Sequence, residues 1–202
     1  MFTYQFRPGK SDAPVLVLLH GTGGDEFSLL PLHEALDSEA TVLSIRGNVL
    51  ENGAPRFFKR LAEGIYDEND LHDQGEKLAD FLVTFFKENQ LNLQNLVFVG
   101  YSNGANIALK LLLDRSDLFK KGILFHPMYP VKQIADQALT QSEVLVTLGT
   151  HDPIVPVTES DHVLELLESR KATVTTLWTP SHQLTYAEVE EAKNWLQKIT
   201  HG

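Results

Sequence analysis

The chain has no cysteine. That excludes disulfides, thiolate metal sites and a cysteine nucleophile. It is also short of basic residues. Its 17 Lys and Arg against 27 Asp and Glu give a formal net charge of −10, spread along the chain rather than gathered in blocks. Such a surface disfavours phosphate backbones and anionic lipid, so neither nucleic acid nor a membrane is an expected partner. No apolar run is long enough for a membrane-spanning helix. The first residues, Met1-Phe2-Thr3-Tyr4-Gln5-Phe6-Arg7-Pro8, show no basic segment followed by an apolar one. A secretory leader is therefore not expected, and a cytoplasmic location is. Repeats and low-complexity tracts are missing too. What remains is 202 residues with an ordinary apolar share, enough for one domain, 1–202, around a substantial core.

Apolar runs of strand length recur at 15–19, 41–45, 96–99, 122–125, 144–148 and 173–178. Most are continuous rather than alternating, as strands covered on both faces should be. Helical patterns lie between them at 70–89, 159–170 and 185–199. In the first, Leu71, Leu78, Leu82 and Phe85 form one stripe. The last opens on Thr185-Tyr186-Ala187-Glu188, a capping-box pattern. Alternation of this kind gives an α/β fold with a mostly parallel sheet, with an extra edge strand near 3–7. Two stretches, 46–69 and 127–142, have no clear period. The second is too short for a lid domain.

Gly100-Tyr101-Ser102-Asn103-Gly104 matches G-x-S-x-G. The apolar run 96–99 precedes it and a helix-like run, 105–113, follows. Strand, sharp turn and helix make this a nucleophile elbow with Ser102 at its tip. The glycines keep side chains out of the neighbouring strand and helix. The backbone N–H of Asn103 is placed at a helix N-terminus, where it can meet a developing negative charge.

In open parallel sheets ligands bind at the carboxyl ends of the strands, so the segment after each strand is informative. After 15–19 comes His20-Gly21-Thr22-Gly23-Gly24. Its glycines let the backbone aim N–H groups at one place. Thr22 is the expected second oxyanion donor, with Gly23 in reserve. The segment lacks both phosphate-loop spacings. After 144–148 comes Asp152-Pro153, the expected acid, although Asp-Pro is also a common turn. After 173–178 comes Ser181-His182. Of the eight histidines, only His182 stands in a loop after the last strand. His20 and His126 are expected to support backbone, and His33, His72 and His162 to lie on helix surfaces. Ser102, Asp152 and His182 thus fall in the order Ser, Asp, His.

Leu19-His20-Gly21-Thr22-Gly23-Gly24, Gly100-Tyr101-Ser102-Asn103-Gly104-Ala105, Gly149-Thr150-His151-Asp152-Pro153-Ile154-Val155-Pro156 and Ser181-His182-Gln183-Leu184 together resemble the carboxylesterase/phospholipase family of α/β-hydrolases. The likeness spans nearly the whole chain. Within the family the chain is similar to bacterial hydrolases associated with quinone and hydroquinone resistance, through segments such as Arg46-Gly47-Asn48-Val49, Arg56-Phe57-Phe58 and Gly64-Ile65-Tyr66-Asp67. Two departures are Ser181, where glycine is usual, and Asn103, where glutamine is commoner. The resemblance implies a lid-less α/β-hydrolase that cleaves small esters through an acyl-enzyme, with neither metal nor cofactor. The residues leave the oligomeric state open between a monomer and a homodimer.

For the substrate wall, Phe57, Phe58, Tyr66 and Gly23 are the candidates. The aromatics could equally anchor their own loop. Arg46 and Arg56 could bind a carboxylate or pair with Glu51 or Asp67. The alternatives are a thioesterase or lysophospholipase-type acyl hydrolase, a hydrolase of ring-cleavage products, and a non-catalytic binder on the same scaffold.

Overall fold

The computed structural model describes residues 1–132, 134 and 136–201. In chain order the strands of the main sheet are β1 (Thr3–Arg7), β2 (Val15–Leu19) and β3 (Thr41–Arg46). Two small hairpins follow, β4 (Val49–Glu51) with β5 (Ala54–Arg56), and β6 (Arg60–Ala62) with β7 (Ile65–Tyr66). The main sheet resumes with β8 (Leu96–Tyr101), β9 (Lys121–Phe125), β10 (Glu143–Gly149) and β11 (Thr173–Thr179). The helices are α1 (Leu30–Leu36), α2 (Glu68–Glu88), α3 (Asn103–Asp114), α4 (Val157–Ser169) and α5 (Tyr186–His201). The seven-stranded sheet runs β1-β3-β2-β8-β9-β10-β11. Only β1 is antiparallel to its neighbour.

The continuous apolar strands have the expected two-sided burial. In β2, Val15, Val17 and Leu19 join a cluster with residues of α2, α3 and α4. Leu16 and Leu18 join the opposite cluster, with α1 and α5. Period two of the strand thus serves two helical layers, and no face is left for polar residues. The stripe of α2 packs as its spacing predicts, with Leu71, Leu78, Leu82 and Phe85 all buried.

Chain order reverses between β2 and β8, which lie side by side with Leu19 opposite Gly100. This is the switch point at which an open α/β sheet leaves a crevice. The loop after β2 and the turn after β8 therefore emerge next to each other.

The structure differs from the periodicity reading in three places. Segment 46–69 folds into the two hairpins, whose strands are two or three residues long. That is too short to show a period. Helix α1 has seven residues and no side-chain N-cap. His33, expected at the surface, is buried on α1 and its Nε2 lies 3.0 Å from the Ala40 carbonyl oxygen.

Candidate active site

Ser102 sits between β8 and α3 with φ of +51°. This is a strained value for any residue with a Cβ. Its N–H is tied to Phe125 O (2.9 Å), and its C=O accepts from Asn106 N (2.9 Å). The turn is tight enough to forbid side chains at the motif glycines. A Cβ on Gly100 would lie 2.6 Å from Ala105 Cα, and one on Gly104 would lie 1.9 Å from Leu19 O.

Three loops converge on that serine. His182 Nε2 is 3.0 Å from Ser102 Oγ. On the other side of the ring, Nδ1 is 2.7 Å from Asp152 Oδ2. The other Asp152 oxygen accepts the N–H groups of Ile154 (2.7 Å) and Val155 (2.9 Å). Asp152 is thus held on both oxygens, and its side chain is fully buried. With Nδ1–H given to the carboxylate, Nε2 is left to accept the serine proton. Tyr101 steadies the histidine from the elbow, donating its hydroxyl to His182 O (3.0 Å). Ser181, the departure from the family pattern, is not among the residues with positive φ, so the position makes no demand for glycine.

The loop after β2 is pinned from three directions. His20 Nε2 accepts from Gly47 N (3.0 Å), which leaves Nδ1–H to donate to Gly21 O (2.6 Å). Burial pushes this imidazole below the usual histidine range, which suits the neutral form the pattern requires. Arg56 Nη1 donates to Thr22 Oγ1 (2.7 Å). Gly23 N–H donates to Pro55 O (2.9 Å). That last bond corrects one expectation. The Gly23 amide is occupied and the residue does not line the cleft, so of the two candidates only Thr22 stays in the running.

The cleft over Ser102 has a volume of about 400 Å³ and includes Thr22, Arg56, Tyr66, Asn103, Met128 and His182 in its lining. A larger hollow of about 510 Å³ lies between α1 and α5, but it brings no serine and histidine together. Phe57 and Phe58 are not in the cleft wall. They are 1% and 0% exposed. The Phe57 ring packs on His20 (4.9 Å between centroids) and the Phe58 ring on Tyr66 (4.8 Å). Phe57 N–H also donates to Asn103 Oδ1 (2.7 Å). Both rings are anchors, because a loop this close to the elbow needs its own apolar burial to hold position. Phe57→Ala is therefore expected to cost about 3–5 kcal/mol of unfolding free energy, as for other buried phenyl rings. Turnover of acetyl, butyryl and octanoyl esters should fall alike. A melting curve beside that panel checks it, and a selective loss with unchanged melting would restore the wall assignment.

Tyr66 does border the cleft. Its hydroxyl donates to Met128 O (3.0 Å) and accepts from Asn106 Nδ2 (2.6 Å), while Asn106 Oδ1 accepts from Met128 N (2.8 Å). Burial raises the phenol well above its ordinary value, so it stays a neutral donor. Arg56, Arg60, Asn106 and Met128 reach the cleft without any sequence period to announce them.

Behind the acid lies a buried pair. His126 Nε2 is 2.7 Å from Glu188 Oε1, and His126 Nδ1 is 3.7 Å from Asp152 Oδ2, with all three side chains fully buried. This corrects the backbone role expected for the His126 side chain. Glu188 also completes the capping box of α5, accepting from Thr185 N (2.8 Å). Burial pushes the Glu188 carboxyl up, but the polar groups around it, His126 first and then Thr147 and Thr185, outweigh it and hold the group below the usual carboxylate range. A depressed folded value means stability that is present above about pH 4 and lost as pH falls further. Glu188→Gln should melt below the wild type at pH 7, with the gap closing toward pH 3. A gap constant with pH would remove the carboxylate from that role. His126, Asp152 and His182 bring ligand atoms within 4.8 Å of one another, close enough for one cation. Each is already engaged, however, His126 by Glu188 and the other two along the serine chain.

A parallel sheet with its reversal at β2 and β8, and a serine on the turn beyond, define an α/β-hydrolase. The family model for phospholipases and carboxylesterases matches residues 6–200, and the chain belongs to that family. MhqD of Bacillus subtilis strain 168, a hydrolase by name, is 42% identical over 194 residues, which are 96% of each chain. The crystal structure of a Bacillus cereus carboxylesterase is 50% identical, with a TM-score of 0.95 over 98% of this chain and 94% of that one. YahD, whose structure is with malic acid, is 32% identical with a TM-score of 0.93, over 98% and 99% of the two chains. The chain is accordingly a hydrolase of the carboxylesterase kind. No helix among the described residues is long and apolar enough to cross a membrane.

Proposed function

We propose that this chain is a serine carboxylic-ester hydrolase acting on small esters. The observation that carries the reading is the hydrogen-bonded run from Ser102 Oγ through His182 to Asp152, at 3.0 and 2.7 Å, in an open cleft. His182 takes the serine proton as Oγ attacks the ester carbonyl. Asp152 holds the ring in its Nδ1–H tautomer and stabilises the imidazolium. The amides of Thr22 and Asn103 receive the oxyanion, the second with the help of the α3 N-terminus. His182 returns the proton to the leaving alcohol. Water then enters, gives its proton to His182 and cleaves the acyl-enzyme.

A cleft of about 400 Å³ is at the lower end for ligand pockets and favours short acyl groups. The test is labelling of the purified protein with a fluorophosphonate, followed by kcat/KM on acetyl, butyryl and octanoyl oxygen esters and on the matching thioesters. Labelling at Ser102 with a preference for short oxygen esters is expected. A preference for long-chain thioesters would move the reading to an acyl thioesterase, and no labelling would end it.

A further inference from the structure

Arg56 brings a buried positive charge to the cleft. Its side chain is only 4% exposed, yet it lines the space above Ser102. It is bracketed by the two residues whose amides face the oxyanion. Its Nη1 holds Thr22 Oγ1 at 2.7 Å, and the next residue, Phe57, donates its N–H to the Asn103 side chain. The guanidinium thus shares the cleft with Ser102 and adjoins the loop that carries Thr22.

Its charge is poorly answered. Among the described residues, Glu51 is the one carboxylate within 4 Å, and it sits at 3.5 Å. Both oxygens of Glu51 are engaged by Arg60 Nε, at 2.9 and 3.1 Å. Glu63, an exposed residue on the same cleft lining, adds its charge near Arg60. Of the other donors on Arg56, Nε meets Phe58 O at 3.2 Å, and Nη2 has no partner among the described residues. The Phe58 ring lies under the guanidinium, 5.9 Å from its carbon. Arginine does not relieve this by losing its proton. A guanidinium set this deep, with a donor edge open to the cleft, is best completed by something anionic. A ligand carboxylate would do so, through charge-assisted bonds to the planar fork. Met128, Ile154 and Val155 on the cleft lining supply an apolar surface for the rest of a small molecule.

We propose that Arg56 is a carboxylate-binding residue and that the preferred ester carries a carboxylate of its own, as in the half-ester of a short dicarboxylic acid. This rests on the esterase reading. Water adds across the ester bond. The acyl half leaves as the dicarboxylate, the alcohol takes a proton, and one proton is released to solvent.

The experiment compares monoethyl succinate with ethyl succinamate, its neutral counterpart, by ethanol release at low ionic strength. The anion should be favoured about tenfold or more in kcat/KM, the size expected of a hydrogen bond to a charged group. Arg56→Gln should bring the ratio close to one, chiefly through KM, and Arg56→Lys should restore part of it. Because a buried position can fail to fold, binding is also measured on the Ser102→Ala protein with Arg56 intact. Succinate should bind at least tenfold more tightly than succinamide in titration calorimetry, and added salt should narrow the difference. If both esters are hydrolysed at equal rates and succinate binds no better than succinamide, the proposal fails while the esterase reading stands. If succinate binds but neither ester turns over and Ser102 takes no label, the carboxylate site stands and the esterase reading falls. An equal loss of kcat for both esters in Arg56→Gln would instead make the guanidinium an oxyanion stabiliser, which overturns the recognition role.

Discussion

Ser102→Ala is expected to lower ester turnover by on the order of 10⁴-fold or more while leaving the fold in place. Only one atom is removed. The strain at φ +51° stays, because alanine meets the same steric limits as serine. The turn remains fixed by Ser102 N to Phe125 O and by Asn106 N to the residue 102 carbonyl. What disappears is the oxygen proposed as the nucleophile, which is also the partner of His182 Nε2. The oxyanion donors and the cleft survive, so a small residual rate from binding and electrostatics is expected. Two measurements belong together, ester hydrolysis and the mass shift from a fluorophosphonate. Labelling should vanish, and hydrolysis should fall to that residual rate, in a variant that melts with the wild type. Full activity in a folded preparation free of contaminating esterase would remove Ser102 from the chemistry.

The parts of this molecule that could be read in the sequence are those governed by local rules. Continuous apolar runs marked the central strands because both faces of the sheet are covered, as β2 shows with residues going alternately to two clusters. The elbow was legible because its glycines answer to atoms within a few residues or on the neighbouring strand. Ser102, Asp152 and His182 could be nominated because each follows a strand, and the switch-point geometry then brings the strand ends to one place. Thr185 and Glu188 announced the start of α5 as a capping pair.

What was illegible depends on partners far along the chain. Nothing near His126 predicts Glu188, which α5 delivers to it. Glu188 itself reads as a cap, and its second task is invisible from the motif. The run Arg56-Phe57-Phe58 looks like an aromatic wall. In the folded chain the order is inverted, with the rings buried and the guanidinium in the cleft. The hairpin geometry decides that inversion, and strands of two or three residues leave no period to read. Arg46, a candidate for carboxylate binding, is instead paired with Glu26. A burial preference for apolar side chains would have assigned the phenyl rings correctly. What it cannot supply is the reason to bury an arginine beside them, and that reason is found only in the bonds to Thr22 and Phe58.

Asp152→Asn should lower kcat by roughly 10⁴-fold with little change in melting temperature, the size of loss seen when a triad acid is made neutral. The isosteric amide can keep its oxygen toward the Ile154 and Val155 amides, which now hold Asp152 Oδ1 at 2.7 and 2.9 Å. That choice turns the NH₂ group toward His182 Nδ1, where Oδ2 stands at 2.7 Å. A donor there selects the tautomer with the proton on Nε2, so the ring faces Ser102 Oγ with nothing to accept the serine proton. The imidazolium formed in the transition state also loses its counter-charge in a fully buried position. Flipping the amide would repair the histidine contact only by aiming NH₂ at two amide donors, so the rotamer that keeps its bonds is the one that leaves the histidine unable to act as a base. Other aspartates offer a contrast. Asp25 is spent on the turn that accepts from Phe27 N and Ser28 Oγ. Asp136 and Asp161 are exposed. Asparagine at 136 or 161 should leave kcat close to wild type. Steady-state rates for the three variants, with melting curves and the rate of fluorophosphonate labelling, decide the assignment. Labelling should slow together with kcat in Asp152→Asn, because both depend on the same proton transfer from Ser102. Near-normal labelling and turnover in that variant, with a large loss at Asp136 or Asp161, would place the acid elsewhere.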